Sequence, residues 1–248
     1  MPDPAGAVRV VLGGTGSLGS AIARRLARPD ETLVLGHLEN HERAARLAAE
    51  LRPLAREVHL GAGNLAEPPA RERLAELVGR LGGRCDSLVH AVALTSFKPL
   101  SRVRPAQWDL ILGVSARSFL DVVSALVEPL AAARGTVVAL SSQGSVRFLP
   151  GYGALGPAKA ALEATVRQLA CELGPRGIRV NAVRAGLVRS EVLERFPPGF
   201  EQAVTARTPL GRIGTPEEIA AVVGFLLGAD AGWIVGQVLE VDGGFSLT

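Results

Sequence analysis

The chain has 248 residues, 48% of them hydrophobic and 21% charged, and a formal net charge of +3. That length suits one large α/β domain or two small ones. Its 29 glycines and 16 prolines fall short of the roughly 25–30% that marks low-complexity chains, which excludes collagen, coiled coil and disorder. Lysine occurs only at Lys98 and Lys159 and tyrosine only at Tyr152, so nearly all the basic residues are arginine. No block of five like charges and no basic-aromatic interleaving occurs. The basic balance therefore gives no nucleic-acid footprint.

Short apolar runs alternate with longer helical patterns from end to end. Val8–Leu12, Thr32–Leu35, Glu57–Leu60, Ser87–Ala91, Thr136–Ser141, Ile178–Val183 and Val238–Val241 read as strands. Leu18–Arg28, Glu42–Leu54, Ala70–Leu81, Pro105–Ala131, Pro157–Leu173 and Pro216–Leu227 carry apolar residues at three- and four-residue spacing and read as helices. Pro157 and Pro216 suit a first helical turn, and Thr215 with Glu218 makes a capping box. The alternation implies right-handed βαβ crossovers. The expected fold is an α/β, Rossmann-type, doubly wound parallel sheet of seven strands, one domain over residues 1–248.

Arg184–Pro209 departs from the rhythm, with Pro197, Pro198 and an amphipathic piece, Glu191–Phe196. Loops beyond the carboxyl ends of such strands form the ligand crevice, so a substrate lid is expected around residues 187–210. No stretch of about 18 uncharged apolar residues appears, and Met1–Ala7, with Asp3 and two prolines, does not read as a signal peptide. A cytoplasmic protein with no membrane partner is expected. Cys85 and Cys171 have no ligand-like neighbours, so neither a disulfide nor a metal site is expected.

The first strand runs into Gly13-Gly14-Thr15-Gly16-Ser17-Leu18-Gly19. Gly14, Gly16 and Gly19 match G-x-G-x-x-G between a strand and a helix, the setting in which bare backbone and a helix N-terminus hold a pyrophosphate. An NAD-binding chain usually places an acid roughly 20 residues on, at the end of the second strand. Here Leu35-Gly36-His37-Leu38 stands instead, and His37, His41 and Arg43 could face a 2′-phosphate. Glu39 stands close by. The balance favours NADP(H) over NAD(H).

The fifth strand ends in Ser141-Ser142, and the lone tyrosine, Tyr152, precedes Lys159 by seven positions. On a helix that interval is within about 20° of two full turns. Gly153 and Gly156 argue instead that Tyr152 stands on the loop approaching the helix. A neighbouring ammonium favours phenolate and lowers a phenol's pKa, so the pair reads as a tuned proton donor.

With these residues in view the chain resembles the short-chain dehydrogenase/reductase family over essentially its whole length. The resemblance rests on the glycine turn, Ser142, Tyr152, Lys159, Asn181-Ala182-Val183, Gly214-Thr215-Pro216-Glu217-Glu218-Ile219-Ala220 and the tail Gly236–Gly244. Most of that family spaces Tyr and Lys by four, and here that position holds Leu155. The interval of seven, Val89-His90, Ala185-Gly186 and Ser115 are similar to the NADPH-dependent enoyl-acyl-carrier-protein reductases.

The resemblance implies Tyr152, Lys159 and Ser142 as catalytic residues and Ser115 as a polar support. Lys159 would also hold the nicotinamide ribose. Asn64 and Leu65 would contact the adenine, and Ala91, Ala185, Gly186, Val188 and Ser190 would line the rest of the cofactor site. It further implies a small or carrier-bound acyl substrate and a homotetramer built on Trp108–Leu126 and the C-terminal strand with Trp233. An acyl carrier protein is a candidate partner, since Arg189, Arg195, Arg207 and Arg212 flank the lid. His90-Ala91-Val92-Ala93 departs from the family's Asn-Asn-Ala-Gly, as does Leu12 before the turn. A ketone or imine reductase and a dinucleotide-binding protein without turnover are the alternative readings.

Overall fold

The computed structural model describes residues 6–94 and 96–248. The chain runs β1 (Val8–Leu12), α1 (Ser17–Leu26), β2 (Thr32–His37), α2 (His41–Leu51), β3 (Glu57–Ala62), α3 (Pro68–Arg80) and β4 (Ser87–His90) through the first half. It continues α4 (Pro105–Leu112), α5 (Ser118–Ala125), α6 (Val127–Ala133), β5 (Thr136–Ser142), α7 (Leu155–Leu173), β6 (Arg179–Ala185), α8 (Phe200–Arg207), α9 (Pro216–Leu227) and β7 (Val238–Val241). All seven strands are parallel, in the order β3-β2-β1-β4-β5-β6-β7. This is the expected Rossmann-type doubly wound sheet.

Both faces are covered, which is why the central strands read as continuous apolar runs rather than alternating ones. Val10 and Leu12 of β1 point into a core closed by α3, α5 and α7, with Leu74, Phe119 and Leu162 buried in it. Val11 points the other way, against Ile22 of α1, Leu51 of α2 and Val223 of α9. Each such side chain contributes roughly 1.5–3 kcal/mol on burial. Because β1 and β4 are neighbours while β2 lies on the far side of β1, the chain reverses direction across the sheet between β1 and β4. Ligand crevices of open α/β sheets form beyond the strand ends at such a point.

Several expectations change. Pro105–Ala131 is not one helix: a π-turn, Gly113–Arg117, separates α4 from α5, and the axis turns by 61° before α6. Pro129 supplies the reason for the second break, because its ring crowds the carbonyl of Ala125 four residues back. β2 reaches His37 rather than stopping at Leu35, so that histidine is the last residue of a buried strand. The proposed lid region is not all loop, since it holds a 3₁₀ turn, Glu191–Arg195, and α8. β6 also runs on to Ala185. Among the described residues no single helix is long and apolar enough to cross a membrane.

Candidate active site

The glycine turn closes on backbone contacts. Gly13 has φ +75°, and a Cβ there would stand 2.5 Å from the Ala91 carbonyl oxygen. Gly14 N–H donates to Gly36 O at 2.9 Å, and Gly16 N–H to Gly13 O at 3.0 Å. Gly16 then caps α1, with no side-chain hydrogen bond at the cap and no acid in the first turn. The first-turn N–H groups, which no residue of the helix can accept, face the crevice with their partial positive charge. A Cβ on Gly16 would meet only Gly13 O, at 3.4 Å, so the crevice side of the turn is bare. This is a cradle that fits a pyrophosphate.

From this helix end a cavity of about 290 Å³ runs across the strand ends. Gly16, Ser17, Leu18, Gly19, Ala91, Ser142, Tyr152, Lys159, Ala185, Gly186, Val188 and Ser190 all line it. Most of the residues singled out from sequence thus meet in one place. Gly13, Gly14 and Thr15 shape the turn from outside the lining. His37, Asn64 and Leu65 are outside it too.

His37 is buried at the end of β2, with Nε2 3.0 Å from His41 Nδ1 and its own Nδ1 unpartnered. Burial, assisted by His41, lowers its pKa. The charge that could meet a 2′-phosphate belongs to Arg43. Asn64 is occupied within the loop before α3: its Oδ1 accepts from Ala66 N–H at 3.1 Å and its Nδ2 donates to Glu67 at 3.0 Å. Leu65 lines a separate cavity with Gly36, Ala62 and Arg73.

Tyr152 precedes α7, as the flanking glycines implied. Its ring packs against Gly144, where a Cβ would lie 2.5 Å from Cδ1. Its backbone forms a single β-bridge with Lys98, and Gly153 N–H donates to Lys98 O at 3.2 Å. The other lysine of the chain therefore lies beside the tyrosine through its main chain, a relation the sequence did not reveal. Phe196 faces the Tyr152 ring at 6.2 Å and stacks on Phe200 at 4.2 Å, with Phe97 edge-on at 5.1 Å. This aromatic wall was likewise missed, because its members come from three distant segments.

Lys159 is buried on the first turns of α7 and donates to Leu140 O at 2.7 Å and Val92 O at 3.2 Å. Burial pulls its pKa down to about 8, against the opposing charge of Glu163. Burial raises the Tyr152 pKa, and a hydrogen bond with Ser142 acts the other way. The expected lowering of the phenol by Lys159 is not found. Burial dominates at the tyrosine, and the lysine directs two of its protons to main-chain oxygens instead.

Beneath the cavity, Glu163 on α7 accepts from Ser141 at 2.5 Å, Ser145 at 2.6 Å and Arg184 at 2.6 Å. Arg184 also reaches Glu240 at 3.2 Å. The network ties the ends of β5, β6 and β7 to α7. His90 is fully buried; its Nε2 lies 3.0 Å from Ser118 Oγ, which donates to Val114 O at 2.6 Å, and burial pushes its pKa down to about 3. Ser115, expected as a polar support, instead accepts from Leu94 N–H at 3.0 Å inside the π-turn and does not line the cavity.

A family model described as Enoyl-(Acyl carrier protein) reductase matches residues 13–246. The chain belongs to the short-chain dehydrogenase/reductase family. It is 36% identical over 246 residues to a 1-cyclohexenylcarbonyl-CoA reductase of Streptomyces collinus, covering 97% of this chain and 87% of that one. It is 29% identical over 240 residues to a 3-oxoacyl-acyl-carrier-protein reductase of Thermotoga maritima, covering 96% and 97%. Among solved structures, the Pseudomonas aeruginosa RhlG/NADP active-site complex superposes with a TM-score of 0.87 at 27% identity, covering 97% of this chain and 96% of that one. As a short-chain dehydrogenase/reductase the protein is an oxidoreductase that uses a nicotinamide dinucleotide, and the bare cradle at Gly16 suits one.

Proposed function

We propose that the protein reduces the carbon–carbon double bond of a 2-enoyl thioester, with NADPH as the cofactor. The observation that carries this reading is the position of the phenol. Leu155, four residues before Lys159, presents an apolar side chain to the cavity, while the proton donor hangs from the preceding loop against Phe196. Reduction at C3 of an enoyl thioester builds negative charge on an oxygen two carbons away. The donor for that oxygen must stand farther out than one serving a ketone, and the longer Tyr–Lys interval supplies the reach.

In this reading Tyr152, kept protonated by burial, donates to the developing enolate oxygen in a water-poor pocket. Such a preorganised donor is worth a few kcal/mol. Ser142 orients the phenol. Lys159, tethered by Leu140 and Val92, holds the nicotinamide ribose hydroxyls. Backbone N–H groups of Ser17, Leu18 and Gly19 hold the pyrophosphate, Ser190 the carboxamide, and Arg43 the 2′-phosphate. The dinucleotide, when bound, supplies the hydride. Residues 187–210 act as a lid whose Val192, Leu193 and Phe196 give the cavity an apolar roof. The substrate class is supported by the 36% identity to a relative named for an unsaturated acyl-CoA.

A CoA or acyl-carrier-protein thioester is the substrate form we favour, and Arg189 and Arg195 remain for carrier contact. Arg212 does not, since it pairs with Glu218 at 2.6 Å. A homotetramer is supported by Trp233, 99% exposed beside the β7 edge. The second reading, reduction of a 3-ketoacyl thioester, is favoured by Ser142 and Tyr152 lining the same cavity and by the 29%-identical relative.

The test is isotopic. With NADPH carrying deuterium at the transferred position, a 2-enoyl thioester should yield a saturated product labelled at C3. Label appearing only in the carbinol product of a 3-ketoacyl thioester would refute the reading.

A further inference from the structure

We propose that Glu191 is a built-in antagonist of the cofactor 2′-phosphate: a lid carboxylate that competes for Arg43. The proposal rests on the NADP(H) reading of the site. Arg43 Nη1 lies 2.8 Å from Glu191 Oε1 and 2.9 Å from Oε2, a pairing between residues 148 positions apart. Arg43 is held at the start of α2, where its N–H donates to Asn40 Oδ1 at 3.0 Å. Glu191 follows Ser190 and precedes Val192 and Leu193, all three of which line the cavity. The chain that roofs the cavity thus reaches from the β6 side of the crevice to the β2 side, and its carboxylate ends on the cation expected to read the adenosine ribose.

Charge decides the outcome. A 2′-phosphate brings about two negative charges and three acceptor oxygens, against the single charge and two oxygens of a carboxylate, and either can pair with a guanidinium. It wins Arg43, either by displacing Glu191 or by binding beside it against like-charge repulsion. A 2′-hydroxyl has no such claim, so NADH leaves the Arg43–Glu191 pair intact. Both side chains are partly exposed, 32% and 72%, and pairs of that kind are weak. Glu191 therefore lowers NADPH affinity modestly and selectively, and narrows the preference that Arg43 creates.

The test is a set of cofactor-fluorescence titrations, giving Kd for NADPH and NADH in the wild type, Glu191→Gln, Arg43→Ala and the double variant. The proposal expects Glu191→Gln to tighten NADPH about two- to fivefold, to leave NADH unchanged, and to lose its effect when Arg43 is alanine. Unchanged or weakened NADPH binding in Glu191→Gln, or equal tightening of both cofactors, overturns it. If Arg43→Ala still weakens NADPH, that result leaves the NADP(H) reading standing. If Arg43→Ala binds NADPH as the wild type does, the NADP(H) reading fails and the proposal fails with it.

Discussion

Lys159 donates to the carbonyl oxygen of Leu140 at 2.7 Å, so the buried amine on α7 is tethered to the end of β5. Burial holds its pKa down at about 8, well below the usual 10.4 or so. The ammonium is present below that value and lost above it. If the charged form positions the cofactor, kcat/KM should fall on the alkaline side with an apparent pKa near 8, since that quantity reports groups of the free enzyme. A profile flat to about pH 9.5 would contradict the role given to Lys159.

Glu163 is 4% exposed and depends on Arg184 for its counter-charge. Burial by itself raises its pKa, but hydrogen bonds from Arg184, Ser141 and Ser145 outweigh it and the net shift is downward. The carboxylate thus contributes stability above its ordinary pKa, which is lost as pH falls through the lower folded value. Arg184→Met leaves the charge buried and should cost about 3–5 kcal/mol at pH 7. With burial then opposed only by the hydrogen bonds from Ser141 and Ser145, the variant's Glu163 protonates more readily, so the gap to wild type should narrow towards pH 4. Urea denaturation at both pH values checks this; equal stability at pH 7 would show that the pair carries little.

The glycine turn offers a separation of fold from binding. A Cβ on Gly19 would lie 2.1 Å from Gly13 O and 2.8 Å from its carbonyl carbon. Gly19→Ala should therefore destabilise the protein, on the order of 1–3 kcal/mol as overpacked sites do. Gly16→Ala meets no such obstacle and should unfold within about 0.5 kcal/mol of wild type. Its methyl instead fills the pyrophosphate cradle, so dinucleotide affinity should drop at least roughly tenfold, or ~1.4 kcal/mol. Thermal unfolding and fluorescence titration separate the two; a Gly16→Ala that binds normally would remove the cradle from the account.

Phe196 joins the lid to Tyr152. Removing its ring with Phe196→Ala should lower kcat/KM for an acyl thioester about tenfold, the scale of one lost apolar contact surface. The Kd for NADPH should move much less. Steady-state kinetics and cofactor titration on the same preparation decide it.

The parallel sheet was legible because short apolar runs alternate with stretches of helical spacing, and the turn because Gly14, Gly16 and Gly19 fall at fixed spacing between a strand and a helix. Tyr152 and Lys159 stood out because neither residue type competes elsewhere nearby. The break at Leu126 was signalled by Pro129 but hidden by unbroken apolar spacing around it. α8 escaped notice because only Val204 on it is buried, leaving no apolar stripe to read. The Glu163–Arg184 network looks in sequence like ordinary surface charge; only the fold brings strand ends and helix together around it. His37 and Asn64 stand outside the cavity lining because His37 closes a buried strand and Asn64 turns its side chain onto Ala66 and Glu67.

The central claim is that a Tyr–Lys interval of seven serves an enolate rather than a carbonyl. It is tested most directly by kcat/KM for NADPH-dependent reduction of crotonyl-CoA against acetoacetyl-CoA on the purified protein. The account predicts a preference for the enoyl thioester of roughly a hundredfold or more, the size of one correctly placed oxyanion donor, and its loss in Tyr152→Phe. Preference for the ketoacyl thioester, or turnover untouched in Tyr152→Phe, would contradict it.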